Sequence, residues 1–217
     1  MNISKKKFVL IALFVFPLLF FLILSTGINN FSKLPTLTNN VILDELENND
    51  SISLRDQISV LCFLGNNIDQ KKGGFFNLNQ KIYKEFYGYR PFQIIAVYPK
   101  EHHGDATNLK SKLGAFTDMS KWKFISMDSN NIRLLHMNLQ INDSLDTNLY
   151  SKKAYLIDKE LNLRGRNNDK DYDNGIMFGY NIESVAELNN KMEDDIKVLL
   201  YEYRAAFKNK KKAARKN

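Results

Sequence analysis

Few residues of this chain have side chains suited to metal, redox or nucleophilic chemistry. The 217 residues include one cysteine and three histidines. One cysteine excludes an internal disulfide, a C-x-x-C redox pair and a zinc site built from several cysteines. That residue, Cys62, lies in the apolar segment 58–64, where a cysteine is expected to be a small buried hydrophobic residue rather than a reactive thiol.

Two polar segments have the composition of ion-binding loops. Segment 101–105 reads Glu-His-His-Gly-Asp, but adjacent residues seldom both face one metal ion, so a solvated loop is predicted. Segment 169–175 opens with D-x-D-x-D, as a calcium loop does, yet Asn174 and Tyr180 stand where that loop needs Gly and Glu. An acidic surface loop is therefore predicted there. His136 is expected to be a partly buried side chain with satisfied hydrogen bonds.

Motifs of the common catalytic and nucleotide-binding sites are missing from the sequence. It contains no Gly-x-Ser-x-Gly elbow, no P-loop and no Gly-x-Gly-x-x-Gly segment. We therefore predict that the protein is not an enzyme of these kinds and that it holds no cofactor or metal ion.

Apolar segments alternate with amphipathic ones along the chain, which indicates a sheet flanked by helices. The predicted strands are 58–64, 92–98, 122–127 and 154–158, with a short further segment at 163–166. The predicted helices are 76–87, 108–116, 132–139 and a long last helix from Val185 to Phe207, capped by Asn181. This order predicts an α/β domain with a mixed sheet and helices on both faces.

The element order and three segments resemble the thioredoxin-like superfamily. The segments are VLCFLGN at 60–66, VYPKE at 97–101 and YLIDKELNLRG at 155–165. Within that superfamily the sequence is most similar to the membrane-anchored SCO proteins, which handle copper for cytochrome oxidase assembly. The likeness covers roughly residues 51–200 and implies a thioredoxin-like fold.

The chemistry of that family needs a C-x-x-x-C motif after the first strand and a distant histidine, which bind copper or cycle through a disulfide. Laid over this sequence, the motif places Ile68 and Lys72 at the two cysteine positions, and the histidine position falls at Tyr150 or Ser151. None of these side chains replaces a thiolate or an imidazole. The resemblance therefore implies a degenerate SCO-like protein, a pseudo-enzyme that keeps the scaffold without the copper and redox site.

An uninterrupted apolar segment from Phe8 to Leu24 follows three lysines near the start of the sequence. Residues 8–27 nearly span the ~30 Å core of a bilayer, and we predict a retained transmembrane signal-anchor. A cleaved signal peptide is the alternative, although no A-x-A site follows the segment. The positive-inside rule assigns residues 1–7 to a cytoplasmic tip. The expected location is the bacterial inner membrane, in a single pass, with the C-terminal domain in the periplasm.

Composition divides the rest of the chain into a linker at 28–50, a thioredoxin-like domain at 51–207 and a basic tail at 208–217. The formal net charge is +7, from 31 Lys and Arg against 24 Asp and Glu. Nine of those cations lie in 5–7 and 208–217, and nine taken from 31 leaves 22 against 24. The domain therefore has no basic excess, and nucleic-acid binding is not expected. The tail fits contact with anionic lipid and a disordered solubilising segment equally well.

Together these features favour a non-catalytic, membrane-anchored envelope protein that acts through a protein partner. The SCO resemblance implies an assembly factor for respiratory (cytochrome oxidase) complexes. One alternative is a redox or copper-handling SCO-type protein with a non-standard site, such as Cys62 with His102 or His103. The other is a small-ligand-binding domain whose pocket lies near Asn66, Asn67 and Lys72.

Overall fold

The computed structural model describes residues 5–26, 33–47, 52–172 and 174–214, and the chain divides into two units, Met1–Ser32 and Lys33–Asn217. The first unit contains α1 (Lys5–Thr26), a 22-residue helix with Pro17 inside it. Its exposed apolar side chains include Phe14 and Phe16. Within the described part of the chain, no helix combines the length and the apolar character that a bilayer crossing requires. The first four residues of the predicted tip and the last of the predicted anchor lie outside the described residues.

The second unit is built on one mixed sheet of seven strands. The strands are β1 (Thr36–Thr38), β2 (Ile58–Phe63), β3 (Phe92–Pro99), β4 (Trp122–Met127), β5 (Lys153–Ile157), β6 (Leu163–Arg164) and β7 (Tyr180–Asn181). Their order is β1-β6-β5-β2-β3-β4, and β7 pairs with β5. The strands β2, β3 and β4 are parallel, whereas β5 is antiparallel to both β2 and β6.

Helices connect the strands and close the domain. They are α2 (Asp44–Glu47), α3 (Ile68–Leu78), α4 (Lys84–Phe86), α5 (His103–Gly114), α6 (Ser129–Met137), α7 (Val185–Glu187) and α8 (Glu193–Ala214). A π-helical turn, Asn79–Tyr83, joins α3 to α4, and a second, Leu188–Met192, joins α7 to α8.

The sheet is buried on both faces, because successive side chains of a strand point to opposite sides. Val60 and Cys62 of β2 lie in a core formed with α3, α5 and α8. Leu61 and Phe63 lie in a second core formed with α6 and residues of the segments 41–46 and 52–54. This arrangement confirms the mixed sheet with helices on both faces. A parallel β-α-β unit followed by an antiparallel hairpin and a final helix is the thioredoxin-like arrangement that the resemblance implied.

The predicted strands match β2 to β5, but three helices, α3, α5 and α6, begin earlier than predicted, and the cap of the last helical segment was misassigned. The helix predicted at 76–87 begins at Ile68, because the pair Gly73-Gly74 weakens the sequence signal for a helix. A Cβ on Gly74 would lie 2.8 Å from Ile182 Cγ1, so glycine permits close packing there. The last helical segment is capped by Ser184, whose hydroxyl accepts from the backbone N–H of Glu187 at 3.2 Å, rather than by Asn181.

The structure corrects the predicted linker at 28–50. Leu34, Leu43 and Leu46 are buried, and β1 pairs with β6, so the domain includes residues 33–47. Irregular spacing among Asn and acidic residues hid these core positions from any periodicity argument. Residues 28–32 and 48–50 lie outside the described residues. Within the predicted basic tail at 208–217, α8 continues to Ala214.

Buried charges hold this N-terminal segment against the hairpin and the last helix. Arg164 is 6% exposed and donates from Nε to the Leu34 carbonyl at 3.1 Å. It also donates to Asp158 Oδ2 and to Glu202 Oε2, each at 2.9 Å. Burial alone would lower the pKa of the Arg164 guanidinium, but the hydrogen bonds to the two carboxylates outweigh it and raise that pKa. Arg164 is therefore a permanently charged group at the junction of three segments.

Candidate functional site

The carboxyl end of β2 meets the loop before β5 at the place where the SCO motif would lie. Leu64 forms a β-bridge with Tyr150, and Asn66 N donates to Asn148 O at 2.7 Å. Between them Gly65 has φ +68°, and a Cβ there would lie 2.6 Å from Asn148 O. Only glycine fits this conformation and this close approach. The junction therefore places the start of α3 beside the residues that precede β5.

The two cysteine positions hold a core residue and a surface ion pair. Ile68 is 1% exposed and packs in the core at the start of α3. One turn on, Lys72 Nζ lies 3.0 Å from Asp69 Oδ1, and Lys112 Nζ lies 3.1 Å from the same oxygen. The hydrogen bonds from Lys72 and Lys112 lower the pKa of Asp69. Neither Ile68 nor Lys72 offers a ligand for copper or a thiol for a disulfide.

Tyr150 occupies the first of the two histidine positions and is tied into the fold. Its hydroxyl donates to Glu183 Oε1 at 2.9 Å, and its ring stands edge-on to Phe75 with the centroids 6.2 Å apart. Lys71 Nζ lies 4.9 Å from the centre of the Tyr150 ring. Burial, with the hydrogen bond to Glu183 and its charge, raises the pKa of Tyr150. Tyr150 is therefore a neutral hydrogen-bond donor at any physiological pH.

Ser151, at the second histidine position, is a structural residue. Its hydroxyl accepts from Lys153 N at 3.0 Å and shares a hydrogen bond with the Tyr155 hydroxyl at 3.2 Å. The same Tyr155 hydroxyl shares a 3.2 Å hydrogen bond with Nε2 of His136. Burial lowers the pKa of His136, which keeps the imidazole neutral. His136 is thus a satisfied buried side chain, as predicted.

Beside Tyr150 the surface forms an open cavity of about 360 Å³. Two lysines and three carboxylates surround the tyrosine, and we call this surface the Tyr150 groove; its residues are Lys71, Asp143, Asp146, Tyr150, Lys152 and Glu183. Across it, Lys71 Nζ lies 3.8 Å from Glu183 Oε1. The groove therefore has a buried, hydrogen-bonded tyrosine at its base and charges of both signs around it.

The ligand pocket predicted near Asn66, Asn67 and Lys72 is corrected by these volumes. The space beside Lys72 and Ile68 has a volume of about 10 Å³, which is room for one water molecule. A cavity large enough for a small molecule lies instead beside Tyr150. Sequence reasoning missed Lys71, because the family motif counts only from the cysteine positions. It also missed Glu183, since no local pattern joins it to Tyr150.

Cys62 is not placed to act as a redox or copper-binding thiol. It is fully buried in β2, and its Sγ lies 3.5 Å from the Ile95 carbonyl oxygen. Burial raises the pKa of the thiol, so the nucleophilic thiolate is disfavoured. His102 Nδ1 lies 3.1 Å from Asp105 Oδ2, and His103 Nδ1 shares a 2.8 Å hydrogen bond with the Tyr98 hydroxyl. Among the described residues, no three His, Cys, Asp or Glu side chains form a group that would hold a metal ion.

The acidic loop at 169–175 is neutralised by lysine and arginine side chains of the same chain. Lys191 Nζ lies 2.6 Å from Asp169 Oδ1 and 2.7 Å from Asp171 Oδ2, and Arg166 Nη1 lies 3.7 Å from Asp169. Burial opposes the charge on Asp169, but the hydrogen bond from Lys191 outweighs it and lowers the pKa of Asp169. The loop is therefore an ion-paired turn; its Asp173 lies outside the described residues.

No protein-family model and no curated protein matches the sequence. Solved structures with a similar fold include a SCO1/SenC family lipoprotein from Bacillus anthracis, with TM-score 0.46 and 18% identity over 68% of this chain and 83% of that one. BsSco, a member of the Sco family of cytochrome c oxidase assembly proteins, has a TM-score of 0.45 and 14% identity over 75% of this chain and 92% of its own. The soluble domain of Sco1 from Bacillus subtilis has a TM-score of 0.39 and 14% identity over 76% of this chain and 90% of its own. These neighbours are proteins of the family that the sequence resembles, and the likeness extends to the fold alone.

Proposed function

We propose that this protein is a thioredoxin-like binding protein of the bacterial envelope that has no redox or copper chemistry of its own. The proposal rests on which side chains occupy the positions of the family's copper and redox ligands. A buried Ile68, an ion-paired Lys72 and a hydrogen-bonded Tyr150 stand where the SCO chemistry needs two thiolates and an imidazole. The remaining thiol, Cys62, belongs to the core.

The Tyr150 groove is the surface that we propose for the partner protein. Tyr150 is 5% exposed and lies at the base of the groove, where Glu183 and Phe75 hold it in place. A partner would therefore contact mainly the charged side chains around it, on a base that does not have to reorganise. Lys71, Lys152 and the three carboxylates provide complementary contacts for a polar segment that carries both signs of charge.

The membrane anchor and the periplasmic location are part of the same proposal. They are supported by the apolar segment from Phe8 to Leu24, by the lysines before it and by exposed apolar side chains of α1, with Phe14 and Phe16 each 70% exposed. Exposed apolar surface of this extent needs a lipid or protein cover. Because the sequence resembles SCO proteins, we place the protein in the assembly of respiratory (cytochrome oxidase) complexes.

The proposal is tested by extracting the tagged full-length protein gently from its own membrane and quantifying the proteins that co-purify. The groove variant is Lys71→Glu/Lys152→Glu, and the matched control Lys84→Glu/Lys110→Glu reverses two lysine charges outside the groove. We expect a stoichiometric partner with the wild type and the control, and at least about a tenfold loss with the groove variant, equivalent to 1.4 kcal/mol. Equal recovery with all three proteins, or recovery of the wild type alone, would refute docking at the groove.

Small-ligand binding is a second candidate for the same surface. Its volume of about 360 Å³ falls within the range of ligand pockets, about 300–1,000 Å³. A zwitterionic metabolite would match its two signs of charge. A thermal-shift screen should then yield a compound that stabilises the wild type and the Lys84→Glu control but has no effect on Lys71→Glu.

A further inference from the structure

Helix α8 extends well beyond the core on which it packs. Among the residues of α8 whose burial is described, through Phe207, the last fully buried one is Leu199, and the helix continues to Ala214. Tyr203 still contacts the domain, since its hydroxyl donates to Glu160. Beyond it Arg204 is exposed and Phe207 is 70% exposed. At 1.5 Å per residue this last part of the helix is about 16 Å long.

The charged residues of this extension are all basic. From residue 204 to the end of the sequence there is no acidic residue, and seven residues are lysine or arginine: Arg204, Lys208, Lys210, Lys211, Lys212, Arg215 and Lys216. Positions 204, 208 and 211 are spaced by four and three, and this spacing assigns them to one side of a helix. Position 207 falls on the same side, three residues after 204 and four before 211.

We propose that the extension of α8, residues 204–214, binds an anionic phospholipid surface. The extension is rich in lysine and arginine and has an exposed phenylalanine, and both features are common in helices that lie at a membrane interface. Each lysine or arginine near such a surface adds to the attraction. Nucleic acid fits less well, because the rest of the domain provides no basic surface to continue the contact, with 22 basic against 24 acidic residues outside the two chain ends.

The test uses the full chain with a fluorophore on an Ala206→Cys variant, since Ala206 is exposed in the extension. Cys62 is buried and stays unlabelled in the folded protein. The labelled protein is mixed with phosphatidylcholine vesicles, or with vesicles in which about a third of the lipid is phosphatidylglycerol, both carrying a headgroup quencher. Lys5–Lys7 and the apolar segment after them are the same in the wild type and in the lysine variants of the helix, so the difference between those proteins reports the helix.

We expect the label to be quenched on the anionic vesicles and not on the neutral ones, and salt at about 1 M to remove the quenching. The variant Lys208→Gln/Lys211→Gln/Lys212→Gln should bind about a hundredfold more weakly, at about fivefold per cation. The control Lys84→Gln/Lys110→Gln/Lys170→Gln neutralises three exposed lysines elsewhere and should bind as the wild type does.

Equal quenching on both kinds of vesicle, or an unchanged signal in the triple variant of the helix, would overturn the proposal. So would an unquenched label on anionic vesicles together with tight binding of double-stranded DNA at the same salt concentration, which would assign the extension to nucleic acid. The partner assay at the Tyr150 groove is independent of these results, because it uses different residues.

Discussion

Replacing Arg164 by methionine should lower the free energy of unfolding by about 3–5 kcal/mol. Arg164 is 6% exposed and donates to Asp158 and Glu202 at 2.9 Å each and to the Leu34 carbonyl. In the variant the Asp158 carboxylate, 1% exposed, stays buried without its cation. Two backbone N–H groups still donate to it, so it remains hydrogen-bonded but uncompensated in charge.

The magnitude follows from which partner is removed. Breaking a buried ion pair by deleting one member costs more than the pair contributes, because the other charge is left in a low-dielectric site. Glu202→Gln keeps an acceptor for Arg164 at a position whose side chain is 16% exposed, and should cost only about 1 kcal/mol. The double variant Arg164→Met/Asp158→Asn removes the stranded charge, so its loss should be smaller than the sum of the single losses by about 1 kcal/mol or more.

Equilibrium urea unfolding of the full chain measures these differences, with the single tryptophan as the reporter. Trp122 is 2% exposed and stacks on Phe124 with the ring centroids 5.6 Å apart, so its emission changes on unfolding. The exposed Arg133→Met is the matched control and should stay within about 0.5 kcal/mol of the wild type. A loss of less than about 1 kcal/mol for Arg164→Met would show that Asp158 does not depend on Arg164 for charge compensation.

Three further predictions concern single positions. Gly65→Ala should destabilise the domain by about 2–4 kcal/mol, because Gly65 has φ +68° and the added Cβ would lie 2.6 Å from a carbonyl oxygen. Gly73→Ala is the matched control, since nothing lies within 4 Å of its added Cβ. In the same urea assay it should stabilise the domain by about 0.5–1 kcal/mol. Burial lowers the pKa of His136 below 6.5, so the unfolded chain takes up a proton first on acidification. The stability that the neutral His136 contributes is complete above about pH 6.5 and is lost as the pH falls through the lowered pKa, at no more than about 1.4 kcal/mol per pH unit. Curves of unfolding free energy against pH for His136→Gln should lack this loss. The same pH dependence in the wild type and the variant would contradict the prediction. Cys62 should react with maleimide at least about a thousandfold more slowly in the folded protein than in urea, and rapid labelling under native conditions would reopen the redox alternative.

The strands could be predicted from the sequence because nearly every residue in them is apolar, as in Ile58–Phe63, where all six are buried on one face or the other. Burial on both faces leaves this continuous signal. The start of α3 could not be predicted, since Gly74 has a low helix propensity and is required by contact with Ile182. The segment 33–47 was missed because its buried residues pair with distant partners, as β1 does with β6.

The candidate site could likewise be predicted only in part from the sequence. Ile68, Lys72 and Tyr150 were located by laying a known motif over the sequence, and the structure places them at the junction of β2, α3 and the loop before β5. The residues that shape the groove are not encoded locally. Glu183 lies 33 positions from Tyr150 in the sequence, and only the folded chain brings its carboxylate to the hydroxyl.

Site-specific photo-crosslinking in the native membrane tests most directly whether a partner protein occupies the Tyr150 groove. A photoreactive amino acid replaces the exposed Lys152 at the groove or, as the control, the exposed Lys84 outside it. We expect one discrete protein adduct from position 152, resistant to reducing agents because no cysteine takes part, and no such adduct from position 84. An absence of adduct at 152, or the same adducts from both positions, would contradict docking at the groove.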